Sequence, residues 1–137
     1  MSAGTSIEWA ANGDGSRGAT WNPIRARHRE TGDVGWFCVH ESEGCRNCYA
    51  ERINTQRFGN GVAYKAQNES KVVIYLDEKT LRAPLSWKKP RTIFVGSMTD
   101  LFGAFVPDWM ITTRIASANW KDASWPWRAR NRTRSDR

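Results

Sequence analysis

Lys71-Val72-Val73-Ile74-Tyr75-Leu76-Asp77-Glu78-Lys79-Thr80-Leu81-Arg82-Ala83-Pro84-Leu85-Ser86-Trp87-Lys88-Lys89-Pro90-Arg91-Thr92-Ile93-Phe94-Val95-Gly96 is the stretch that decides the fold class. Its first third is β-branched and aromatic, which favours a strand. Asp77 has the short acceptor side chain of a helix N-cap, and the segment through Leu81 and Leu85 to Trp87 reads as the helix it opens. Pro90 ends that segment. Thr92 to Val95 is a continuous apolar run, the pattern of a buried parallel strand. A strand, a helix and a second strand in this order predict an α/β layer. Ligands in such folds bind at the carboxyl ends of strands, so the turn Gly96-Ser97-Met98-Thr99-Asp100 is a candidate site.

Upstream, Cys48 leads into a predicted helix in which Tyr49, Ile53 and Gln56-Arg57 share a face, with Gly59-Asn60-Gly61 as its stop. Thr20-Trp21-Asn22-Pro23-Ile24 is β-prone, and Pro23 restricts it to a short or edge segment. Residues 25–35 are charged and contain glycine, which predicts a loop. Thr5 to Trp9 reads as a short strand inside an otherwise irregular segment, 1–18. Downstream, Pro107-Asp108 opens a helix through Trp109, Ile111 and Ile115.

The chain has 137 residues, 39% of them hydrophobic and 26% charged, which fits one folded domain over residues 19–117. No apolar run reaches the length of a membrane span, and the N-terminus lacks the pattern of a signal peptide. The expected setting is cytoplasmic and reducing, with no membrane. The net charge is +7. Trp120 to Arg137 contributes +4 of it, from six basic and two acidic residues. Tryptophan and arginine alternate there without amphipathic period. Residues 118–137 are therefore expected to be a disordered basic tail. Two readings of it stand open: an arm that stacks on single-stranded nucleic acid, or out-of-frame coding.

The three cysteines, Cys38, Cys45 and Cys48, are the only ones in the chain. Clustered thiols in a reducing setting bind metal more often than they form disulfides. Three donors leave a four-coordinate centre one ligand short, which is the arrangement of a site open to a small molecule. Sulfur donors select zinc or iron–sulfur clusters. His40 lies between the first two cysteines. A closed Cys3His zinc site using it, in a small nucleic-acid-binding protein, is the alternative. Trp21, Trp36, Trp87 and Trp109 are expected to be core or shielding residues. Lys88, Lys89 and Arg91 read as a solvated face.

Several stretches together resemble a known family. They are Thr5-Ser6-Ile7-Glu8-Trp9, Thr20-Trp21-Asn22-Pro23, Gly44-Cys45-Arg46-Asn47-Cys48-Tyr49-Ala50-Glu51-Arg52, Leu85-Ser86-Trp87-Lys88-Lys89-Pro90-Arg91, Ile93 to Phe102, and Val106-Pro107-Asp108. The family is the phage and bacterial one named after mycobacteriophage gene products thirty-seven and sixty-eight. It is a domain of unknown function related to radical S-adenosylmethionine (SAM) enzymes. The resemblance covers residues 5 to about 115. It implies a partial, TIM-like β/α barrel, incomplete here. It also implies a 4Fe–4S cluster on Cys38, Cys45 and Cys48, with SAM on the open iron and radical chemistry on a substrate that the sequence does not specify. By the same resemblance Ser97, Thr99 and Asp100 would bind the SAM amino group. Two departures stand out: six residues separate the first two cysteines where three are usual, and Asn47 replaces the aromatic before the third. Because the likeness fades near Ile115, the chain is expected to be a truncated or frameshifted copy, inactive alone, or a non-functional remnant.

Overall fold

The computed structural model describes residues 11–56 and 58–115. The predicted strand at Thr5–Trp9 and the tail at 118–137 lie outside the described residues. Among the described residues, five strands form two small sheets, and neither closes on itself.

The first sheet pairs β1 (Ala19–Trp21) with β5 (Ile93–Val95) in parallel, with Ala19 opposite Ile93 and Trp21 opposite Val95. The run Ile93 to Val95 is thus parallel, as its composition predicts, but only partly covered: Val95 is 45% exposed. The second sheet has the order β3-β2-β4, all antiparallel, from β2 (Ile24–His28), β3 (Val34–Gly35) and β4 (Val72–Leu76). β4 therefore does not lie beside β5 in a common parallel layer, as the alternation of elements suggests.

Proline explains the division into two sheets. Pro23 has no N–H to give to a ladder. It is fully buried between β1 and β2, and its carbonyl accepts from Asp77 N–H at 2.8 Å. The β-prone segment Thr20–Ile24 is consequently two strand ends belonging to different sheets.

Residues 25–35, expected to be a loop, hold most of β2 and all of β3. The inward residues of β2 are Ile24 and Ala26; the outward ones are Arg25 and Arg27. Their guanidinium groups stack at 5.1 Å over the rings of Trp36 and Tyr75, respectively. A strand whose outer face is arginine and whose inner face includes alanine carries little apolar signal. Gly32, at φ 77°, makes the hairpin turn that joins the two strands.

The helix α1 (Tyr49–Gln56) starts and stops where expected. Its inward face is Ala50, Ile53 and Asn54, because Asn54 is drawn into a buried amide network; of the expected face Tyr49, Ile53 and Gln56-Arg57, Tyr49 and Gln56 are exposed and Arg57 lies outside the described residues. The helix α2 (Glu78–Arg82) is shorter than its pattern. Pro84 cannot donate i→i−4, so the chain continues as a 3-10 turn, Ala83–Ser86, before Trp87. After Pro107 and Asp108 the last described helix becomes π-helical over Met110–Ile115.

The core lies between the inner face of the three-stranded sheet, α1 and the segment after β5. Ile24, Ala26 and Val72 meet Ala50, Met98 and Phe105 there. Phe37 sits at its centre, edge-on to Tyr64 at 6.3 Å and to Phe105 at 5.3 Å. Of the four tryptophans expected to be core or shielding, Trp21 is buried, Trp36 and Trp87 are partly buried, and Trp109 is 52% exposed. No helix among the described residues is long and apolar enough to cross a membrane.

Asp77 fastens α2 to the sheet. Its carboxylate accepts from the backbone N–H groups of Lys79 and Thr80 and from the Thr80 hydroxyl, and it lies 3.4 Å from Arg25 Nε. Burial alone would raise its pKa; the Thr80 bonds and Arg25 outweigh that and hold the carboxyl below its ordinary value. A depressed carboxylate contributes stability above its unfolded-state pKa, near 3.9, that is lost as pH falls through the lower folded value. Asp77→Ala is expected to lower the unfolding free energy by about 1 kcal/mol at pH 7. In urea titrations the gap between the two proteins should narrow below about pH 4. A gap that persists undiminished at pH 2 contradicts this account of the cap.

Candidate functional site

The loop between β3 and α1 carries all three cysteines, and two asparagines fasten its base. Trp36 N–H, just before the loop, donates to Asn54 Oδ1 at 2.9 Å. Asn54 Nδ2 donates to Asn60 Oδ1 at 2.9 Å and to the Val62 carbonyl at 3.0 Å. Asn60 Nδ2 in turn bonds the carbonyls of Ala26 and Trp36, both at 3.1 Å. Asn54 is 1% exposed and Asn60 5%. The close approach needs glycine at two places. A Cβ on Gly35 would stand 2.3 Å from Asn54 Oδ1, and one on Gly59 would meet the Asn54 backbone at 2.5 Å.

The turn after β5 faces this loop and is fastened by residues remote in sequence. Gly96 has φ 73°, and a Cβ there would meet the Thr99 carbonyl at 2.9 Å. Asn22 reaches across from the end of β1. Its Nδ2 donates to Ser97 Oγ at 2.8 Å, and its Oδ1 accepts from Met98 N–H at 2.9 Å. The Tyr49 hydroxyl donates to the Ser97 carbonyl and the Tyr64 hydroxyl to the Met98 carbonyl, each at 2.8 Å. The Thr99 hydroxyl donates to the Phe37 carbonyl at 2.5 Å.

Loop and turn enclose an open cavity of about 450 Å³. Cys38, Cys48, Tyr64, Ser97, Thr99 and Asp100 are among the residues lining it. Five of the six residues proposed from sequence as ligands are therefore brought together. Their roles differ. Thr99 is 6% exposed, with its hydroxyl engaged by Phe37, so it ties the turn to the cysteine loop. Ser97 Oγ is held by Asn22. Asp100 is exposed, and one of its oxygens accepts from Phe102 N–H at 2.9 Å. Phe102, 83% exposed, and Val95 form an apolar rim.

Cys45 is not among the residues lining this cavity. It lies in a 3-10 turn, Glu43–Asn47, with Sγ 3.8 Å from Ser42 Oγ. The thiols are correspondingly unlike. Burial pushes the Cys38 thiol up, against the opposing pull of the backbone at Asp100 and Val39. Hydrogen bonds from the backbone at Glu41 and Ser42 and from the Ser42 hydroxyl hold the Cys45 thiol below its ordinary value. The buried Tyr64 hydroxyl is raised strongly, first by desolvation and then by the neighbouring Cys48 and Cys38.

Among the described residues no group of three or more His, Cys, Asp and Glu side chains is gathered closely enough to hold a metal ion. The donor chemistry fits a sulfur-ligated centre, and the geometry supplies two of the three thiols at one cavity. The third is not gathered with them in this conformation. His40 does not join the cysteines either. Its Nε2 stands 3.2 Å from Glu51 Oε2, which also accepts from Tyr64 N–H at 2.6 Å. His40 Nε2 is buried without an aligned hydrogen bond, so the contact with Glu51 is one of proximity rather than a directed bond.

The chain matches the family model described as "Protein of unknown function (DUF5131)" over residues 4–125. It belongs to that family. The match extends past Ile115 and takes in Trp120 and Trp125. No curated protein and no solved structure matches the chain.

Sequence reasoning missed Asn22, Asn54, Asn60 and Tyr64. Asn22 beside Pro23, and Asn60 between two glycines, carry only a turn signal. The one hint for Asn54 is a short polar side chain inside a helix, where it is a weak helix former. Asn54→Ala strips partners from the Trp36 N–H and from buried Asn60, and is expected to cost about 3 kcal/mol in urea unfolding. Asn47→Ala, at an exposed position of the cysteine loop, should stay within about 0.5 kcal/mol of the parent. Equal effects of the two substitutions would contradict the role given to the amide network.

Proposed function

We propose that this chain binds a 4Fe–4S cluster through Cys38, Cys45 and Cys48, with SAM against the Ser97–Asp100 turn, as a radical-SAM-like protein of the phage-type family. The observation that carries the reading is that Cys38 and Cys48 line the same cavity as the turn at the carboxyl end of β5. That is where α/β architectures bind ligands.

When bound, the cluster and SAM supply one-electron chemistry that protein side chains lack. The chain's own residues do the positioning. Cys38 and Cys48 present sulfur from the loop wall. Asn22, Tyr49 and Tyr64 hold the backbone of the turn opposite, so its shape is set before a ligand arrives. The free oxygen of Asp100 offers a counter-charge to an ammonium group. Tyr64, buried and un-ionised, closes the floor beside both thiols. Val95 and Phe102 give an apolar edge for a planar group.

The test is anaerobic purification followed by supply of iron and sulfide. A brown protein with about four irons per chain is expected. Cys38→Ala, Cys45→Ala and Cys48→Ala should each lose most of that iron. Asp100→Asn should keep the iron and weaken SAM binding about tenfold, or about 1.4 kcal/mol, by calorimetry. A colourless protein holding one zinc that is lost on His40→Ala favours the Cys3His alternative. Absence of bound metal after reconstitution overturns both.

A further inference from the structure

We propose that Cys45 and Cys48 are a redox-modification site: a dithiol that closes to a disulfide in the metal-free chain and reopens on reduction. All three cysteines are free thiols in the described structure. The backbone singles out one pair. Cys45 N–H donates to the Ser42 carbonyl at 3.0 Å, and Cys48 N–H donates to the Cys45 carbonyl at 3.2 Å. Cys45 and Cys48 are therefore related as i and i+3 across a 3-10 turn. In that geometry such residues eclipse one another, and a rise of about 2.0 Å per residue sets their Cα atoms about 6 Å apart. A disulfide spans Cα separations of about 4.4–6.8 Å, so the turn holds the pair within bridging range. On bonding, the Cys45 thiol gives up its contact with Ser42 Oγ at 3.8 Å and those with the backbone at Glu41 and Ser42.

Cys38 is placed otherwise. It follows Phe37, whose ring is locked between Tyr64 and Phe105 and whose carbonyl is held by Thr99. Its thiol packs against the core cluster and contacts the Val39 carbonyl at 3.7 Å. Cys38 lines the cavity with Cys48, but its backbone is held at Phe37, whereas Cys45 and Cys48 are joined within one turn. Cys45, in contrast, sits on a turn with no buried residue.

The co-reactant is a low-molecular-weight disulfide such as glutathione disulfide. The Cys45 thiolate attacks one of its sulfurs and expels a thiolate, leaving a mixed disulfide on Cys45. The Cys48 thiolate then attacks the Cys45 sulfur and expels the second thiolate. The protein dithiol loses two electrons and two protons; the co-reactant gains both and departs as two thiols. The consequence for loading rests on the function proposed above: the oxidised loop retains one of its three sulfur donors.

The experiment uses the full chain, stripped of metal by a chelator and equilibrated in glutathione redox buffers. Under oxidising buffer the intact mass should fall by two hydrogens, with one thiol, Cys38, left to alkylate. Cleavage after Arg46 and at Glu41 and Glu43 separates the three cysteines, and the linked peptides should carry Cys45 and Cys48. Cys38→Ser should form the same bond. Cys45→Ser and Cys48→Ser should form no internal bond and stop at the mixed disulfide. A link involving Cys38, or three alkylatable thiols throughout, overturns the proposal. Iron uptake is scored separately. The oxidised chain should take up at least tenfold less iron than the reduced one. If the reduced chain takes up none, the cluster reading fails while the mapped disulfide stands; equal uptake by both forms overturns the control of loading.

Discussion

The carboxamide of Asn54 is the contact on which the site depends. One side chain in α1 holds the backbone at Trp36, where the cysteine loop begins, and the return segment at Asn60 and Val62. The loop is thereby closed at its base, by a group buried where water cannot substitute for a lost partner. Gly35 and Gly59 are constraints of the same contact, since a methyl group at either would overlap it. The strands alone would not hold the loop, because β3 contributes only two residues.

With its base fixed, the loop meets a turn that is held independently. Asn22, Tyr49 and Tyr64 come from three different parts of the chain and bond three successive points of the backbone at Ser97 and Met98. Thr99 then ties that turn back to the loop at Phe37. The cavity is thus walled by two segments whose backbone groups are satisfied by side chains rather than by sheet ladders. Such walls keep their shape without contributing strands, which suits a molecule whose sheets are small. The same arrangement makes the cysteines unequal. Cys38 and Cys48 pack against the core, whereas Cys45 rides on a turn with no buried residue.

The sequence is most legible where the local signal and the tertiary environment agree. The run Val72 to Leu76 is β-branched and forms β4; Asp77 is a good cap and caps α2; the Gly59-Asn60-Gly61 stop ends α1. Legibility fails where packing overrides composition. Arg25 and Arg27 disguise β2 as a loop because their charge is carried on aromatic faces contributed by Trp36 and Tyr75. The face of α1 is rotated by one residue because a buried asparagine whose side chain bonds Trp36, Asn60 and Val62 is as much a core residue as an isoleucine. Pro84, inside an apolar periodicity, shortens α2 by removing a donor that the pattern of Leu81 and Leu85 does not reveal.

The sequence by itself determined the chemistry on offer: three sulfur donors with fixed spacings, a glycine-led polar turn after an apolar strand, and a carboxylate within it. These follow from residue identity and need no third dimension. Only the tertiary structure decided which of them meet. Thr99 and Phe37 are 62 residues apart along the chain, and Asn22 and Met98 are 76 apart, yet each pair is joined by one hydrogen bond. Such bonds form only when the core between Ile24, Phe37 and Met98 has packed, so local pattern carries no trace of them. They are why Cys38 and Cys48 share a cavity with the turn and Cys45 stands outside it.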